Sequence, residues 1–183
     1  PAGSNGVVFS PWMHGNRCPF EDPYAKGVFF NLGITTRGYD LVKSVVEGVC
    51  MHMRWMLEAT EKTFKTAPVV RFTGGSAISP YICQVLADVL GREVETIENP
   101  RHVGTMGAAA LMAVSFGLIS DTKEIKDIIK VKAAYKPNPD NTALYDRIFP
   151  VFKNLYSDNK KSFASLNGLY NQNKCAVSEE TYS

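Results

Sequence analysis

The chain has 183 residues, of which 45% are hydrophobic and 21% charged, a composition typical of a globular protein with one domain. The formal net charge is only +2, and the lysines and arginines are scattered, so the sequence predicts no basic surface for nucleic acid. No apolar segment reaches membrane-spanning length and no signal peptide opens the chain, so no membrane association is expected.

The first part of the chain predicts two strands, a long loop and a helix. Residues 7–9 are a short β-type segment, and residues 11–26 are rich in proline, glycine and charge, which indicates an irregular loop. Loops of this length in compact domains are usually functional. Residues 27–32 predict a second strand, antiparallel to the first because no helix joins the two. Asp40 is the expected N-cap of a long helix that ends near Phe64.

The middle of the chain alternates strands and helices, which predicts right-handed βαβ connections and a parallel section of the sheet. Strands are expected at residues 69–72 and 94–97. The helix between them should begin at Ser79, which precedes a proline as N-caps often do, and end at Gly91. Small residues over 105–116 predict a further helix.

The last part of the chain predicts helices and a polar end. One helix is expected to open at Ser120, and another covers residues 141–156. Pro150 falls inside the second pattern and should kink or split it, because proline lacks an N–H and crowds the preceding turn. We therefore expect one domain over residues 1–169 and a fraying polar tail over residues 170–183.

The cysteines and histidines form no recognisable metal or redox motif. No pair of cysteines has CxxC spacing, and the three histidines are isolated from one another. Reduced thiols and a cytoplasmic location are therefore expected. The cysteines are Cys18, Cys50, Cys83 and Cys175.

The segment VVRFTGGSAIS, residues 69–79, carries the most chemical information. A hydrophobic strand ends, Gly74 and Gly75 follow, and a helix begins shortly afterwards. Glycines let a ligand approach the backbone closely, and ligands of open α/β sheets bind at the carboxyl ends of strands. The alternative is a plain strand-to-helix turn in which Ser76 and Ser79 are caps rather than ligand contacts. The pattern is neither a P-loop nor a dinucleotide fingerprint.

Four segments in order resemble one family. GVFFNL, seven further residues and DLVKSVVEG are similar to the C-terminal signature of the FGGY carbohydrate kinases, with Asp40, Ser44 and Glu47 at its polar positions. TGGSAISPYICQVLADVLGREV resembles the family's adenosine-binding turn and helix, and GTMGAAALMA resembles the small-residue helix that follows. The loop SPWMHGNRCPFEDPYAKGVFF is similar to that of xylulokinases, with their Pro-x-x-x-Gly-x-Arg-x-Pro pattern.

The resemblance implies an α/β fold of the actin-like ATPase, ribonuclease H-like type, with a mixed sheet flanked by helices and lacking its first strand. Gly74 and Gly75 would lie against the adenosine of ATP, and Ser76 and Ser79 would flank its base or ribose. The catalytic aspartate and a Gly-Thr-Ser phosphate turn would precede this chain. No catalytic residue and no metal ligand are therefore expected here, and residues 1–183 alone should be inactive.

The implied reaction moves the γ-phosphoryl group of ATP, with Mg²⁺, to a hydroxyl of a sugar, xylulose being the first candidate. The sugar would bind to an N-terminal domain. An open sheet edge would leave the isolated chain poorly stable or favour its association with another copy as a homodimer. The alternatives are a chaperone-type ATPase of the same superfold and a non-catalytic module that uses a nucleotide fold as an interaction surface.

Three further residues have roles that the sequence leaves open. Arg17 either steadies phosphate charge or closes a cleft, or it forms a structural ion pair with Glu47 or Asp22. Glu47 is expected to orient the long loop rather than to act as the base. Asn31 stands where the FGGY signature prefers glycine, and asparagine tolerates a left-handed backbone better than most residues.

Overall fold

The computed structural model describes residues 1–120 and 129–180, which form two compact units. One unit consists of Pro1–Lys65 and the chain from Ala143 onward, and the other is Thr66–Thr142. The helix predicted to open at Ser120 lies outside the described residues. No helix within the described ranges is long and apolar enough to cross a membrane.

The first unit contains a two-stranded sheet. Its strands are β1, Val8–Ser10, and β2, Val28–Phe30, and they pair antiparallel with Phe9 opposite Phe29, which confirms the predicted orientation. The first helix, α1, is Gly38–Glu61.

Helix α1 packs closely on β1 through Gly48. A Cβ atom at this position would collide with the carbonyl oxygen of Phe9, so a side chain here would push the helix away from the strand. Cys50 and Met51, two and three residues further along, are buried. This close approach is what brings the polar residues of α1 next to the start of the chain.

Helix α1 begins before Asp40, and the prediction that Asp40 is the N-cap was wrong. Arg37 is the N-cap, and Asp40 lies at the third helical position. The Asp40 Oδ2 atom accepts a hydrogen bond of 2.9 Å from the Arg37 backbone N–H, and Oδ1 accepts one of 2.8 Å from Asn5 Nδ2. Acidic residues at this position reach back to the cap in the same way as the glutamate of a capping box.

The last helix, Pro139–Glu180, is longer than the pattern predicted and Pro150 does not split it. An internal proline costs a helix about 3 kcal/mol. Burial of an apolar stripe on the same helix offsets that cost, since each fully buried large side chain contributes about 1.5–3 kcal/mol. The helix continues to Glu180, into the segment for which a polar tail was predicted. The buried stripe consists of Tyr145, Phe149, Phe152, Leu155 and Phe163.

The long loop between β1 and β2 is anchored by Trp12, which is 1% exposed. Its indole ring packs against Phe20 of the loop and against Phe152, Tyr156 and Phe163 of the last helix, with ring centroids 5.7 to 6.4 Å apart. These aromatic contacts hold the loop against the unit rather than leaving it in solvent.

His52 of α1 also holds this loop, and its position predicts a pH effect. Its Nδ1 atom accepts a hydrogen bond of 3.4 Å from Trp12 Nε1. Burial lowers the pKa of His52 from its ordinary value of 6.5, and a hydrogen bond with the Cys18 backbone opposes the shift. The unfolded chain therefore takes up this proton more readily than the folded chain. The free energy of unfolding should be highest above pH 6.5 and should fall as the pH drops through the folded-state pKa.

This pH effect can be measured by urea unfolding at about pH 7.5 and about pH 5.5. The variant His52→Gln keeps a hydrogen-bond acceptor and cannot titrate, so it should lose part of the pH dependence. His14→Gln removes an exposed histidine of the same loop and should keep the wild-type dependence. An unchanged pH dependence in His52→Gln would contradict the assignment.

The second unit contains a three-stranded sheet with the order β3-β4-β5. The strands are β3, Val70–Phe72, β4, Val94–Ile97, and β5, Val131–Tyr135. Strands β3 and β4 are parallel, as predicted, and β5 is antiparallel to β4. Helices α2, Pro80–Leu90, and α3, Val103–Ser115, follow β3 and β4, so the last helix is α4. Strand β5 was not predicted, because its exposed residues give only a weak alternation of apolar and polar side chains.

Candidate functional site

The turn after β3 has a backbone conformation that requires glycine. Gly74 has φ 96° and ψ −173°, a combination that is essentially restricted to glycine. Its backbone N–H donates a hydrogen bond of 2.8 Å to the carbonyl oxygen of Pro100, in the segment that follows β4. The carboxyl ends of two parallel strands therefore meet at this turn, where ligands of α/β sheets bind.

The space beside the two glycines is open. A Cβ atom built on Gly74 or Gly75 would meet no heavy atom of the described residues, apart from the adjacent ones, within 4 Å. Packing against the described residues therefore does not explain the two glycines, and a flat ligand has room to lie directly on the backbone.

The segment after the glycines forms a short 3-10 turn, Gly75–Ile78, that leads into α2. Ser79 is the N-cap of α2, as predicted, and its Oγ atom accepts a hydrogen bond of 3.4 Å from the Ile82 backbone N–H. Ser76 is exposed, on the same turn as Gly75. Of the two serines, Ser79 thus caps α2, and Ser76 is exposed to solvent.

The side chain of Cys83, on α2, contacts this turn. Its side chain is fully buried, and its Sγ atom donates a hydrogen bond of 3.5 Å to the Ala77 carbonyl oxygen. Burial raises the pKa of the Cys83 thiol, with a backbone hydrogen bond opposing the shift, so the sulfur remains protonated and able to donate. The thiol thereby ties the 3-10 turn to α2.

The segment after β4 lies beside the glycine turn and was not singled out from the sequence. Asn99 has a left-handed backbone with φ 52°, and Arg101 and His102 are exposed ahead of α3. The signal for this segment was present in the sequence, because a loop after a second parallel strand must open at the same sheet edge as the glycine turn.

The family model for the FGGY family of carbohydrate kinases, C-terminal domain, matches residues 1–116. The chain belongs to this family. It is 26% identical over 165 residues to a xylulose kinase of Staphylococcus epidermidis, covering 90% of this chain and 33% of that protein. It is 30% identical over 139 residues to a glycerol kinase of Haemophilus influenzae, covering 75% and 27%. The chain thus spans about a third of the length of these relatives.

Solved structures agree with the family. A xylulose kinase of Lactobacillus acidophilus superposes with a TM-score of 0.83 at 26% identity, covering 91% of this chain and 34% of that chain. A gluconate kinase of the same organism gives 0.82 at 26% identity, with the same coverage. The predicted actin-like ATPase fold of the FGGY kinases, with a mixed sheet and helices, is confirmed.

The polar residues of the FGGY signature lie in the first unit. Asp40, Ser44 and Glu47 on α1 are each 1% exposed. Asn31, which replaces the preferred glycine, has φ 65°, as its left-handed tolerance predicted, and its Nδ2 atom donates a hydrogen bond of 3.0 Å to the Gly6 carbonyl oxygen. Signature residues on α1, and Asn31 directly after β2, therefore form hydrogen bonds with the first residues of this chain.

Glu47 does not orient the long loop, contrary to the prediction. Its Oε1 atom accepts hydrogen bonds from the Gly3 backbone N–H (2.9 Å) and the Tyr145 hydroxyl (2.8 Å), and its Oε2 atom accepts one from Ser4 Oγ (2.6 Å). Lys43 Nζ lies 3.8 Å from Oε1. The carboxylate was misassigned because these donors are remote in sequence. It ties the N-terminal turn to α1 and α4.

The ion pair predicted between Arg17 and either Glu47 or Asp22 is absent. Glu47 is occupied as described, and Asp22 accepts hydrogen bonds from the Tyr24 backbone N–H (2.8 Å) and the Tyr156 hydroxyl (3.1 Å). Desolvation and this bond to Asp22 raise the pKa of Tyr156, so the tyrosine remains a donor. Arg17 itself is exposed.

The described part of the chain brings together no group of three histidine, cysteine, aspartate or glutamate residues that would hold a metal ion. Cys18, Cys50 and Cys83 form no disulfide within the described part of the chain.

Proposed function

We propose that the protein containing this chain is an ATP-dependent carbohydrate kinase and that residues 1–169 are part of its nucleotide-binding domain. Gly74 supports this most directly. In a member of the FGGY family, a backbone conformation restricted to glycine lies beside open space at the carboxyl end of β3. Gly74 and Gly75 would lie against the adenosine, and Ser76 and Ser79 would flank its base or ribose.

The residues of the turn fit this nucleotide. The open space beside both glycines accommodates a flat base, and the backbone amides and the N-terminus of α2 offer donors to polar acceptors. ATP would supply the phosphoryl group. We assign Mg²⁺ to the phosphates of the nucleotide and to groups outside this chain. We likewise place the catalytic aspartate outside it.

Xylulose is the proposed sugar. Several of the most similar relatives are named xylulose kinases, and the long loop carries a pattern like theirs. Glycerol and gluconate kinases also match, so both compounds belong in any substrate panel. We further propose a cytoplasmic enzyme that forms a homodimer. Among the described strands β3 is an edge strand, and this supports pairing with another chain.

A coupled assay of ADP release by the full-length protein tests this function. Xylulose should stimulate turnover more than ribulose, gluconate or glycerol, and residues 1–183 alone should give none. Sugar-independent ATP hydrolysis would instead support a chaperone-type ATPase. Nucleotide binding without any turnover would support a non-catalytic module, and either result would overturn the proposal.

A further inference from the structure

The connection between β1 and β2 is far longer than the strands require. Ser10 pairs with Val28, so residues 11–27 join two neighbouring antiparallel strands. Such strands can be joined by a two-residue turn. Ordering each extra residue costs roughly 1–2 kcal/mol of conformational entropy, so the inserted residues need a role that a short turn cannot supply.

The tip of this loop is held by hydrogen bonds on both sides of Arg17. The Asn16 N–H donates to the Asp22 carbonyl oxygen (2.8 Å), and the Asp22 N–H donates to the Asn16 carbonyl oxygen (2.9 Å). Asn16 Nδ2 donates across Arg17 to the carbonyl oxygens of Cys18 (3.0 Å) and Phe20 (2.8 Å). The hydrogen bonds of the residues on either side of Arg17 therefore fix the position of its backbone.

The base of the loop is equally well held. Trp12 is buried in its aromatic cluster, and Ala25 is fully buried. The Tyr24 carbonyl oxygen accepts a hydrogen bond of 2.9 Å from Asn167 Nδ2 on α4, and Asp22 accepts one from Tyr156. The loop thus behaves as a rigid platform, and rigid elements hold binding groups more precisely than mobile loops do.

Arg17 is the charged group that this platform presents. It is exposed, and among the described residues no carboxylate lies within ion-pair distance of its guanidinium. Asp22 and Glu47, the acids that the sequence suggested for it, are occupied by other donors. A guanidinium that extends from a fixed backbone, with no carboxylate partner among the described residues, can bind two oxygens of a phosphoryl group in a bidentate geometry.

We propose that Arg17 binds a phosphoryl group of the reaction, carried either by the nucleotide or by the phosphorylated sugar. This inference rests on the proposed kinase function. Arg17 acts by binding alone, and no bond is formed or broken at its guanidinium.

Steady-state kinetics of the full-length protein test this role with three variants. Arg17→Met should lower kcat/KM roughly ten- to a hundredfold, and Arg17→Lys, which keeps the charge but not the fork, should lie between it and wild type. Arg147→Met is the matched control: Arg147 is exposed on α4 and forms no ion pair with any described residue. This control should stay within about twofold of wild type.

The kinetic constants identify the carrier of the phosphoryl group. A raised KM for MgATP in Arg17→Met indicates the nucleotide, and a raised inhibition constant for the sugar phosphate indicates the product. If the wild type is active and Arg17→Met behaves like Arg147→Met, the inference is overturned and the kinase function stands. An equal loss in both variants also overturns it, because general loss of positive charge would explain the effect.

Calorimetric titration with pyrophosphate tests Arg17 independently of turnover, even if the wild type proves inactive. Arg17→Met should bind pyrophosphate roughly tenfold or more weakly than both wild type and Arg147→Met. Equal affinity in all three proteins, or no binding by the wild type, would overturn the inference.

Discussion

Gly74→Ala should weaken nucleotide binding by the full-length protein roughly ten- to a hundredfold. The backbone at Gly74 occupies a region that costs a residue with a Cβ about 1–3 kcal/mol. The turn would relax to an ordinary conformation, and the hydrogen bond from the Gly74 N–H to the Pro100 carbonyl oxygen would be lost or lengthened. Nucleotide would then have to restore the strained state, at a tenfold loss of affinity for about each 1.4 kcal/mol.

Calorimetric titration with ADP measures this effect, and Gly117→Ala is its matched control. Gly117 also has a positive φ, of 70°, and a Cβ built there also meets no atom of the described residues within 4 Å. It follows α3 instead of preceding α2, so its substitution should cost some stability and leave ADP affinity within about twofold. Wild-type ADP affinity in Gly74→Ala, or an equal loss in Gly117→Ala, would contradict the assignment of the turn.

The features of this site that were predictable from sequence are local ones. Two adjacent glycines after a β-type segment indicate an unusual backbone, and Ser79 before a proline indicates a helix start, because both signals arise within a few residues. The left-handed conformation of Asn31 belongs to the same class, since it follows from the tolerance of one residue type.

The features that were not predictable depend on contacts between distant parts of the chain. The hydrogen bond from Tyr145 to Glu47 joins residues 98 positions apart. Strand β5 forms by pairing with β4, although its own residues are mostly exposed and give a weak pattern. Helix α4 continues past Pro150 because burial of its aromatic stripe outweighs a local penalty. Local propensity cannot report any of these energies.

Glu47→Ala should lower the free energy of unfolding of the first unit by about 3–4 kcal/mol. The side chain is 1% exposed and accepts hydrogen bonds from the Gly3 N–H, Ser4 Oγ and the Tyr145 hydroxyl. Alanine removes both carboxylate oxygens, so the three donors lose their acceptors, and it leaves a cavity where the side chain had been. Hydrogen bonds to a charged group contribute about 1.5–3 kcal/mol each, and partial rehydration of the donors reduces the sum.

Two further variants separate the carboxylate from the cavity and from charge in general. Glu47→Gln keeps the shape and one acceptor oxygen, so it should cost only about 1–2 kcal/mol. Glu58→Ala removes a glutamate of the same helix whose side chain is 40% exposed and paired with Arg54 and Lys153. Exposed ion pairs contribute about 0–1 kcal/mol, so this control should be close to neutral.

Chemical denaturation followed by tryptophan fluorescence measures these differences. Both tryptophans of the chain, Trp12 and Trp55, lie in the first unit, so the signal reports on the unit that Glu47 stabilises. If Glu47→Ala were no less stable than Glu58→Ala, the buried carboxylate would not hold the N-terminal turn to α1 and α4. If Glu47→Ala and Glu47→Gln were both less stable than Glu58→Ala, and by the same amount, the surrounding donors would require the negative charge of the carboxylate rather than the shape of the side chain.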